Sequence, residues 1–318
     1  MLIRAGPDLD LMRDALATST LSHGLKVFGD RWTAQVVLGS FLGVRRFDDW
    51  RTQLGLPRPT LSDRLKTLQQ LGVLQTRVYQ ERPERHTYHL TRKGIAMYDA
   101  VLMIWDWEQR WGDRQYALPQ RLFHRVCGHS LRPVLVCKAC QGDVRVEDLG
   151  FTLAPNPRLP VETASGARTP RVAATGGGLA LGLRVDRWSL LIVTTVILGC
   201  HYFDQISRVL GIVPSVLTRR LSGMIDCGLL QVHADRDDAR RRIYRLTPRS
   251  RGLLGYIVCL TRWASRDHFQ EASSIEVRHH ACGHVFTPGV VCDHCRQALE
   301  PWHVQFATSE TPAPEVTP

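Results

Sequence analysis

The stretch RPTLSDRLKTLQQLG, Arg58 to Gly72, sets Leu61, Leu65, Leu68 and Leu71 at helical spacing. Arg58, Ser62, Asp63 and Lys66 fall largely on the opposite face. Gly72 stands where a helix would stop. VLQTRVYQ follows and alternates like a strand; after a polar gap, YHLTRKG resumes. Helix, strand, basic tip and strand is the layout of a winged helix-turn-helix, whose second helix enters the major groove while the tip lies along the backbone. An ordinary amphipathic helix with a solvated face would fit this stretch equally well, so the rest of the chain decides.

Internal repetition settles it. Sliding the chain by 156 positions superposes Arg31-Trp32 on Arg187-Trp188, Phe47-Asp48 on Phe203-Asp204, and Leu54-Gly55 on Leu210-Gly211. It also brings Arg64-Leu65 onto Arg220-Leu221, Gly72 onto Gly228, Tyr88 onto Tyr244 and Trp107 onto Trp263. The shared positions are apolar residues at helical or strand spacing and turn glycines, which is the skeleton of a fold. The chain carries one domain twice.

At 318 residues there is room for two or three domains, each with its own core. The net charge of +11 favours a polyanionic partner, without telling nucleic acid from a membrane surface. The basic residues cluster at Arg45-Arg46, Arg82 and Arg85, Arg219-Arg220, and Arg240-Arg241-Arg242. MLIRAGPDLD has no apolar segment of the secretory kind. The longest apolar run, Leu190–Cys200, is too short to span a bilayer. A cytoplasmic location, with no membrane partner, is the expectation.

In chain order, a helical lead-in (1–18) precedes Ser22–Ser40, whose main part is a buried helix entered at Gly29-Asp30-Arg31-Trp32. A short helix, Phe47–Leu54, and the helix that opens on Pro57-Arg58-Pro59 form the helix-turn-helix pair. Leu71–Leu90 supplies two wing strands, and Thr91–Trp111 one long helix with an aromatic stripe suited to core or dimer contact. The expected fold class is α+β, mainly α: two winged helix-turn-helix domains, each followed by a small zinc-ribbon-like module. The boundaries are 1–118 and 119–150 for the first pair, 151–178 for a Pro/Gly-rich flexible linker, 179–272 and 273–304 for the second pair, and 305–318 for a disordered tail.

Both domains are followed by the same pattern. His124-Arg-Val-Cys127-Gly-His129 precedes Cys137-Lys-Ala-Cys140, and His279-His-Ala-Cys282-Gly-His284 precedes Cys292-Asp-His-Cys295. Two ligand pairs on two turns suit a tetrahedral zinc ion. The expected sets are His124, Cys127, Cys137 and Cys140, and His279, Cys282, Cys292 and Cys295, with His129 and His284 as rival fourth ligands. Gly128 and Gly283 follow the first pair, where a tight turn needs backbone freedom. Four filled positions leave none for water and no Glu base lies in the motif, so the zinc is structural rather than catalytic. Cys200, Cys227 and Cys259 lack such partners and are expected to be core thiols.

GDRW, RFDDW, LSDRLKTLQQLGVL, ERPERHTYHLT and WDWEQRWG, in that order, resemble the HxlR family of bacterial regulators. VDRW, YFDQI, LTRRLSGMIDCGLL and YRLT are a weaker second copy. The resemblance covers roughly 20–113 and 176–270. It implies winged helix-turn-helix proteins that bind DNA and dimerise through their terminal helices. Where members usually begin the recognition helix with a capping Ser, this chain has Pro57 and Val213, so first-turn N–H groups lack that acceptor and are free to meet phosphate. Where many members carry a redox-active Cys, this chain has Ser19 and Thr175.

The function expected from these features is a sequence-specific transcriptional regulator, not an enzyme, partnered by double-stranded DNA. Arg58, Ser62, Asp63 and Lys66, and in the second repeat Ser215, Thr218, Arg219 and Ser222, are the candidates to face base edges. Arg64 and Arg220 recur in both copies and suit phosphate or a shared ion pair. Arg82, Arg85, Arg240, Arg241 and Arg242 on the wings suit phosphate or the minor groove. The two repeats are expected to pair within one chain as a pseudo-dimer, with a homodimer as the other arrangement. The competing reading is a protein-interaction module of a transcription assembly that docks through its zinc ribbons. The effector is not legible.

Overall fold

The computed structural model describes residues 8–29, 31–55, 57–112, 121–154, 186–238, 240–268 and 274–307. Most of the expected linker and tail lies outside them.

The first repeat runs α1 (Leu9–Ala17), α2 (Thr20–Phe28), α3 (Arg31–Phe41), α4 (Phe47–Leu54), α5 (Arg58–Gln70), β1 (Leu74–Glu81), β2 (Glu84–Leu90), α6 (Arg92–Ile95) and α7 (Tyr98–Trp111). A ribbon follows: β3 (Arg121–His124), β4 (His129–Leu131), β5 (Pro133–Cys137) and β6 (Leu149–Leu153). The second repeat runs α8 (Arg187–Ile197), α9 (Phe203–Leu210), α10 (Pro214–Asp226), β7 (Leu230–Ala234), β8 (Arg242–Leu246), α11 (Pro248–Arg251) and α12 (Leu254–Trp263). Its ribbon holds β9 (Ile275–His279), β10 (Pro288–Cys292) and β11 (Val304–Ala307). Among the described residues no helix is long and apolar enough to cross a membrane.

The buried helix expected to enter at Gly29-Asp30-Arg31-Trp32 is α3, which begins at Arg31. Ahead of it stands a separate helix, α2, which Ser19 caps by accepting from the Ser22 N–H at 3.1 Å and Gly29 ends. Three expectations are corrected. Thr91–Trp111 is two helices, since Thr91 accepts from the Gly94 N–H at 3.2 Å and starts a single turn before α7. The expected linker begins too early, because Phe151 to Leu153 belong to β6. The expected tail does too, because β11 runs to Ala307 and pairs with β3.

Leu61, Leu65 and Leu68 seat α5 with no more than 1% of their surface exposed. Leu217, Leu221 and Met224, at most 2% exposed, seat α10 in the same way. Removing three such side chains from water contributes roughly 5–8 kcal/mol to docking each helix. Gly72 and Gly228 close the two helices at φ 68° and 70°, a left-handed conformation that a side chain would strain. Each wing is an antiparallel pair, and each is pinned to its domain in the same way. The Tyr88 N–H donates to the Arg45 carbonyl and the Tyr244 N–H to the His201 carbonyl, both at 2.8 Å.

The two repeats pack on one another through α7 and α12. Trp107 donates its indole N–H to the Arg249 carbonyl at 2.7 Å, and Trp263 donates to the Lys93 carbonyl at 2.9 Å. The lead-in helix α1 lies against α9 of the other repeat, where Arg208 pairs with Asp10 at 2.5 Å and Cys200 meets the Met12 sulfur at 3.2 Å. Burial pushes the Cys200 thiol up to about 11 and the Cys259 thiol well above its usual range, so both stay protonated as core thiols.

The ribbons do not stand separately. β5 pairs antiparallel with β10, with Leu135 opposite Val290 at the centre, Cys137 opposite Pro288 and Pro133 opposite Cys292. β11 of the second ribbon pairs with β3 of the first, and β6 of the first with β9 of the second. Each ribbon thus lends its last strand to the other.

Candidate metal centres and DNA-facing surfaces

The four Cys-containing turns share one construction. The residue after the second ligand is left-handed in every case: Gly128 at φ 70°, Gln141 at 61°, Gly283 at 71° and Arg296 at 62°. Each donates its backbone N–H back across the turn, to the carbonyl of His124 at 2.7 Å, Cys137 at 2.8 Å, His279 at 2.8 Å and Cys292 at 3.0 Å. The two glycines take this conformation freely, whereas Gln141 and Arg296 adopt it at a cost of about 1–2 kcal/mol. In the sequence a glycine marks this conformation at only two of the four turns.

These turns bring together all eight expected ligands, but in different groups from those expected. His124 and Cys127 meet Cys292 and Cys295 of the other ribbon, while His279 and Cys282 meet Cys137 and Cys140. The expected sets within each module are therefore corrected. The antiparallel β5–β10 pairing carries Cys137 and Cys292 to opposite ends of the two-stranded sheet, each beside the other ribbon's histidine turn.

In the first centre, His124 Nδ1 lies 3.5 Å from Cys127 Sγ and 3.2 Å from Cys295 Sγ, and Cys127 and Cys292 sulfurs are 3.9 Å apart. In the second, His279 Nδ1 lies 3.4 Å from both Cys282 Sγ and Cys140 Sγ, with Cys137 and Cys282 sulfurs 3.9 Å apart. A tetrahedral zinc ion with bonds of about 2.3 Å to sulfur and 2.0 Å to nitrogen sets its ligands roughly 3.5–3.8 Å apart. Both groups fit. Burial lowers the basicity of His124, keeping the imidazole neutral as a ligand must be. At Cys137 burial alone would raise the thiol, yet the Ala139 and Cys140 N–H groups that point at its sulfur outweigh this and lower it. Nδ1 of both histidines faces the sulfurs while Nε2 points away, buried without a hydrogen-bond partner among the described residues, so a metal bound at Nδ1 would leave the ring proton on Nε2.

Neither rival ligand joins a four-residue group, though His129 comes within 4.8 Å of the Cys127 sulfur and forms a second, exposed group with Cys127 and His294. His129 is exposed, sets Nδ1 2.6 Å from the Cys127 carbonyl oxygen, and stacks on His294 at 3.5 Å between ring centres. His284 is exposed too.

On α5, Arg58, Ser62, Asp63 and Lys66 are all exposed, as are Ser215, Thr218, Arg219 and Ser222 on α10. Neither Pro57 nor Val213 caps its helix with a side chain, as expected. Arg82 and Arg85 are exposed at the first wing tip, and Arg240, Arg241 and Arg242 at the second. Arg241 lies over the Tyr202 ring at 3.9 Å and 3.5 Å from Asp204. Arg220 is different. It is buried and pairs with Asp186, whose other carboxylate oxygen accepts from the Ser189 N–H at the start of α8. Of the two roles expected for it, the structural ion pair is the one it occupies. Arg64, its equivalent, is half-buried. At the positions aligned with a redox Cys, Ser19 is buried as the cap of α2, and Thr175 lies outside the described residues.

The profile of the HxlR-like helix-turn-helix family matches residues 27–116 and 184–272. The HTH-type transcriptional regulator MT3179 of Mycobacterium tuberculosis is 35% identical over 159 residues, covering 47% of this chain and 99% of the relative. YvaP of Bacillus subtilis, named likewise as an HTH-type regulator, is 34% identical over 91 residues, 28% of this chain and 84% of its own. A solved structure of a probable transcriptional regulator from Pseudomonas aeruginosa shares 22% identity over 27% of this chain and 64% of its own, at a TM-score of 0.23. A second structure from that organism shares 23% over 44% of this chain and 94% of its own, at 0.31. Such TM-scores are low, and the family assignment rests on the sequence match.

Proposed function

The chain belongs to the HxlR-like helix-turn-helix family of transcriptional regulators, and from that premise we propose that it binds duplex DNA sequence-specifically as an intramolecular pseudo-dimer. The observation that carries this reading is the reciprocal packing of the repeats. Equivalent residues make equivalent contacts in both directions across α7 and α12, as identical subunits do about a twofold axis. The M. tuberculosis relative, matched almost entirely by half of this chain, has the length of one repeat. One chain here supplies what two such chains would supply together.

In this reading α5 and α10 enter successive major grooves. Arg58, Ser62, Asp63 and Lys66 read one half-site, while Ser215, Thr218, Arg219 and Ser222 read the other. The wing arginines Arg82, Arg85, Arg240, Arg241 and Arg242 hold the backbone or minor groove. Because the two reading faces differ in sequence, the preferred site is an imperfect repeat rather than a palindrome. Zinc fills both Cys/His centres as a structural ion, with no open position for chemistry.

Selection of bound sequences from a random duplex pool, followed by footprinting and native mass measurement, tests the reading. One chain on an asymmetric site, with affinity falling steeply as salt rises, is the expected result. Duplex binding without sequence discrimination would favour the protein-interaction reading instead. A palindrome occupied by two chains, each through its first repeat, would overturn the pseudo-dimer.

A further inference from the structure

The two repeats are nearly equivalent at their shared interface, yet they differ at one place in a concerted way. Beside α12 lies an open cleft of about 450 Å³, walled by α8, α12, the Phe151 strand and the Val277 and Phe286 region of the second ribbon. Its floor is apolar: Ile197, Leu198, Leu254, Ile257, Val258 and Phe286. Three lining residues, Ile197, Leu254 and Thr261, stand where the first repeat has Phe41, Tyr98 and Trp105. There the aromatic residues occupy the space. Tyr98 and Trp105 are each 4% exposed, and the Phe41 and Tyr98 rings lie 5.2 Å apart. Three smaller side chains at the equivalent positions leave the second repeat open.

The charges diverge at the same spot. The first repeat has Asp106 and Arg110, one helical turn apart and paired at 2.9 Å. The second has Arg262 and Arg266, two like charges at the same spacing, both on the lining of the cleft. Arg262 is partly balanced by Asp99, with which it shares the wall of a neighbouring cavity, but the second charge, Arg266, is exposed and has no matching carboxylate on the cleft lining. Glu276, the acidic residue of the lining, is paired with Arg278 at 2.8 Å. Adjacent like charges on one helix face are mutually unfavourable unless an anion joins them. An apolar floor of this volume, with two guanidinium groups beside it and only part of their charge balanced, has the composition of a ligand site.

We propose that this cleft binds one small amphipathic organic anion per chain, its apolar body on the Leu254–Val258 floor and its acidic group between Arg262 and Arg266. Its walls come from α8 and α12 of the second repeat, from Ser19 and Leu21 of the first and from both ribbons, so an occupant touches both repeats and both ribbons at once. The pseudo-equivalent place in the first repeat is filled and self-neutralised, so the stoichiometry is one, not two. This inference does not depend on the DNA-binding reading.

The test uses the full metal-loaded chain and the fluorescent probe anilinonaphthalene sulfonate, with neutral N-phenylnaphthylamine as the comparison. The anion should bind once per chain with a blue-shifted emission, about tenfold or more tighter than the neutral probe. Arg262→Ala with Arg266→Ala should erase that preference, while Arg110→Ala should leave it intact. Thr261→Trp, which installs the first repeat's residue, should abolish binding of both probes. The exposed Arg266→Ala variant alone, expected to weaken the anion severalfold, keeps the test decisive should the larger change impair folding. No binding, two probes per chain, or affinity for the anion insensitive to the arginine changes would each overturn the proposal.

Discussion

Trp107 and Trp263 hold the same position in the two repeats, and each reaches across the interface to bond the other's half: Trp107 to the carbonyl of Arg249, Trp263 to that of Lys93. Arg249 and Lys93 are themselves equivalent positions. The Arg249 guanidinium also lies 5.8 Å from the centre of the Trp107 ring. The contact is therefore a matched pair, not two accidents of packing.

Trp107→Phe and Trp263→Phe should each lower stability by about 1–2 kcal/mol, because each leaves a carbonyl at the interface without its donor. Equilibrium denaturation measures this. Similar losses from both substitutions are expected, and a loss confined to one would show that the interface is not reciprocal.

The exchange of ligands between ribbons gives a metal-counting prediction. Cys127→Ser combined with Cys292→Ser damages one centre, so the purified chain should retain about one ion of two. Cys127→Ser combined with Cys137→Ser damages both, and should retain none. The sets expected from sequence alone predict the reverse, with both changes of the second variant in one site. Mass spectrometry under native conditions separates the two outcomes.

Arg220→Ala removes one partner of a buried ion pair and leaves Asp186 without its cation. A loss of about 2–3 kcal/mol is expected, somewhat below a fully buried pair because Asp186 keeps some contact with solvent. Arg219→Ala, on the exposed face beside it, should leave stability within about 0.5 kcal/mol of the parent while weakening duplex binding. Thermal or chemical denaturation alongside a binding titration distinguishes the two arginines.

Asp99 sits on α7 near Lys138, Glu300 and Arg262, and burial pushes its carboxyl up to about 6. The folded state then holds a proton that the unfolded chain has already released, so stability should fall as pH rises from about 4 to 6 and level off above that. Asp99→Asn should remove this part of the dependence and stabilise the protein by about 1–2 kcal/mol at pH 7. A melting series from pH 4 to 7 on both proteins reads the difference; identical profiles would show that Asp99 is not held protonated.

Much of this architecture is legible in the sequence because it is written locally. Leu61, Leu65 and Leu68 recur at helical spacing, Gly72 marks the end of the helix, and the offset repeat of Arg-Trp, Phe-Asp and Leu-Gly pairs reveals the duplication. The identities of the candidate metal-binding residues are local as well, since Cys-x-x-Cys and His-x-x-Cys each form one turn. Their grouping is not local. PVLVC and PGVVC pair with each other across the molecule, and nothing within either five-residue segment says whether its partner lies ten residues away or more than a hundred. The buried role of Arg220 is similarly hidden, because its partner Asp186 belongs to another helix. Gln141 and Arg296 adopt left-handed backbone without the glycine that signals it at the other two turns.

The split ligand sets have a consequence during synthesis. When the ribosome has delivered Cys140, four of the eight candidate ligands exist, but they belong to two different groups, and each group holds only two. Neither can be completed until the second ribbon emerges, roughly ten to thirty seconds later at ordinary elongation rates. Throughout that interval the nascent chain displays two half-built thiol sites. Until then the thiols of the first ribbon have no complete set of partners within the chain.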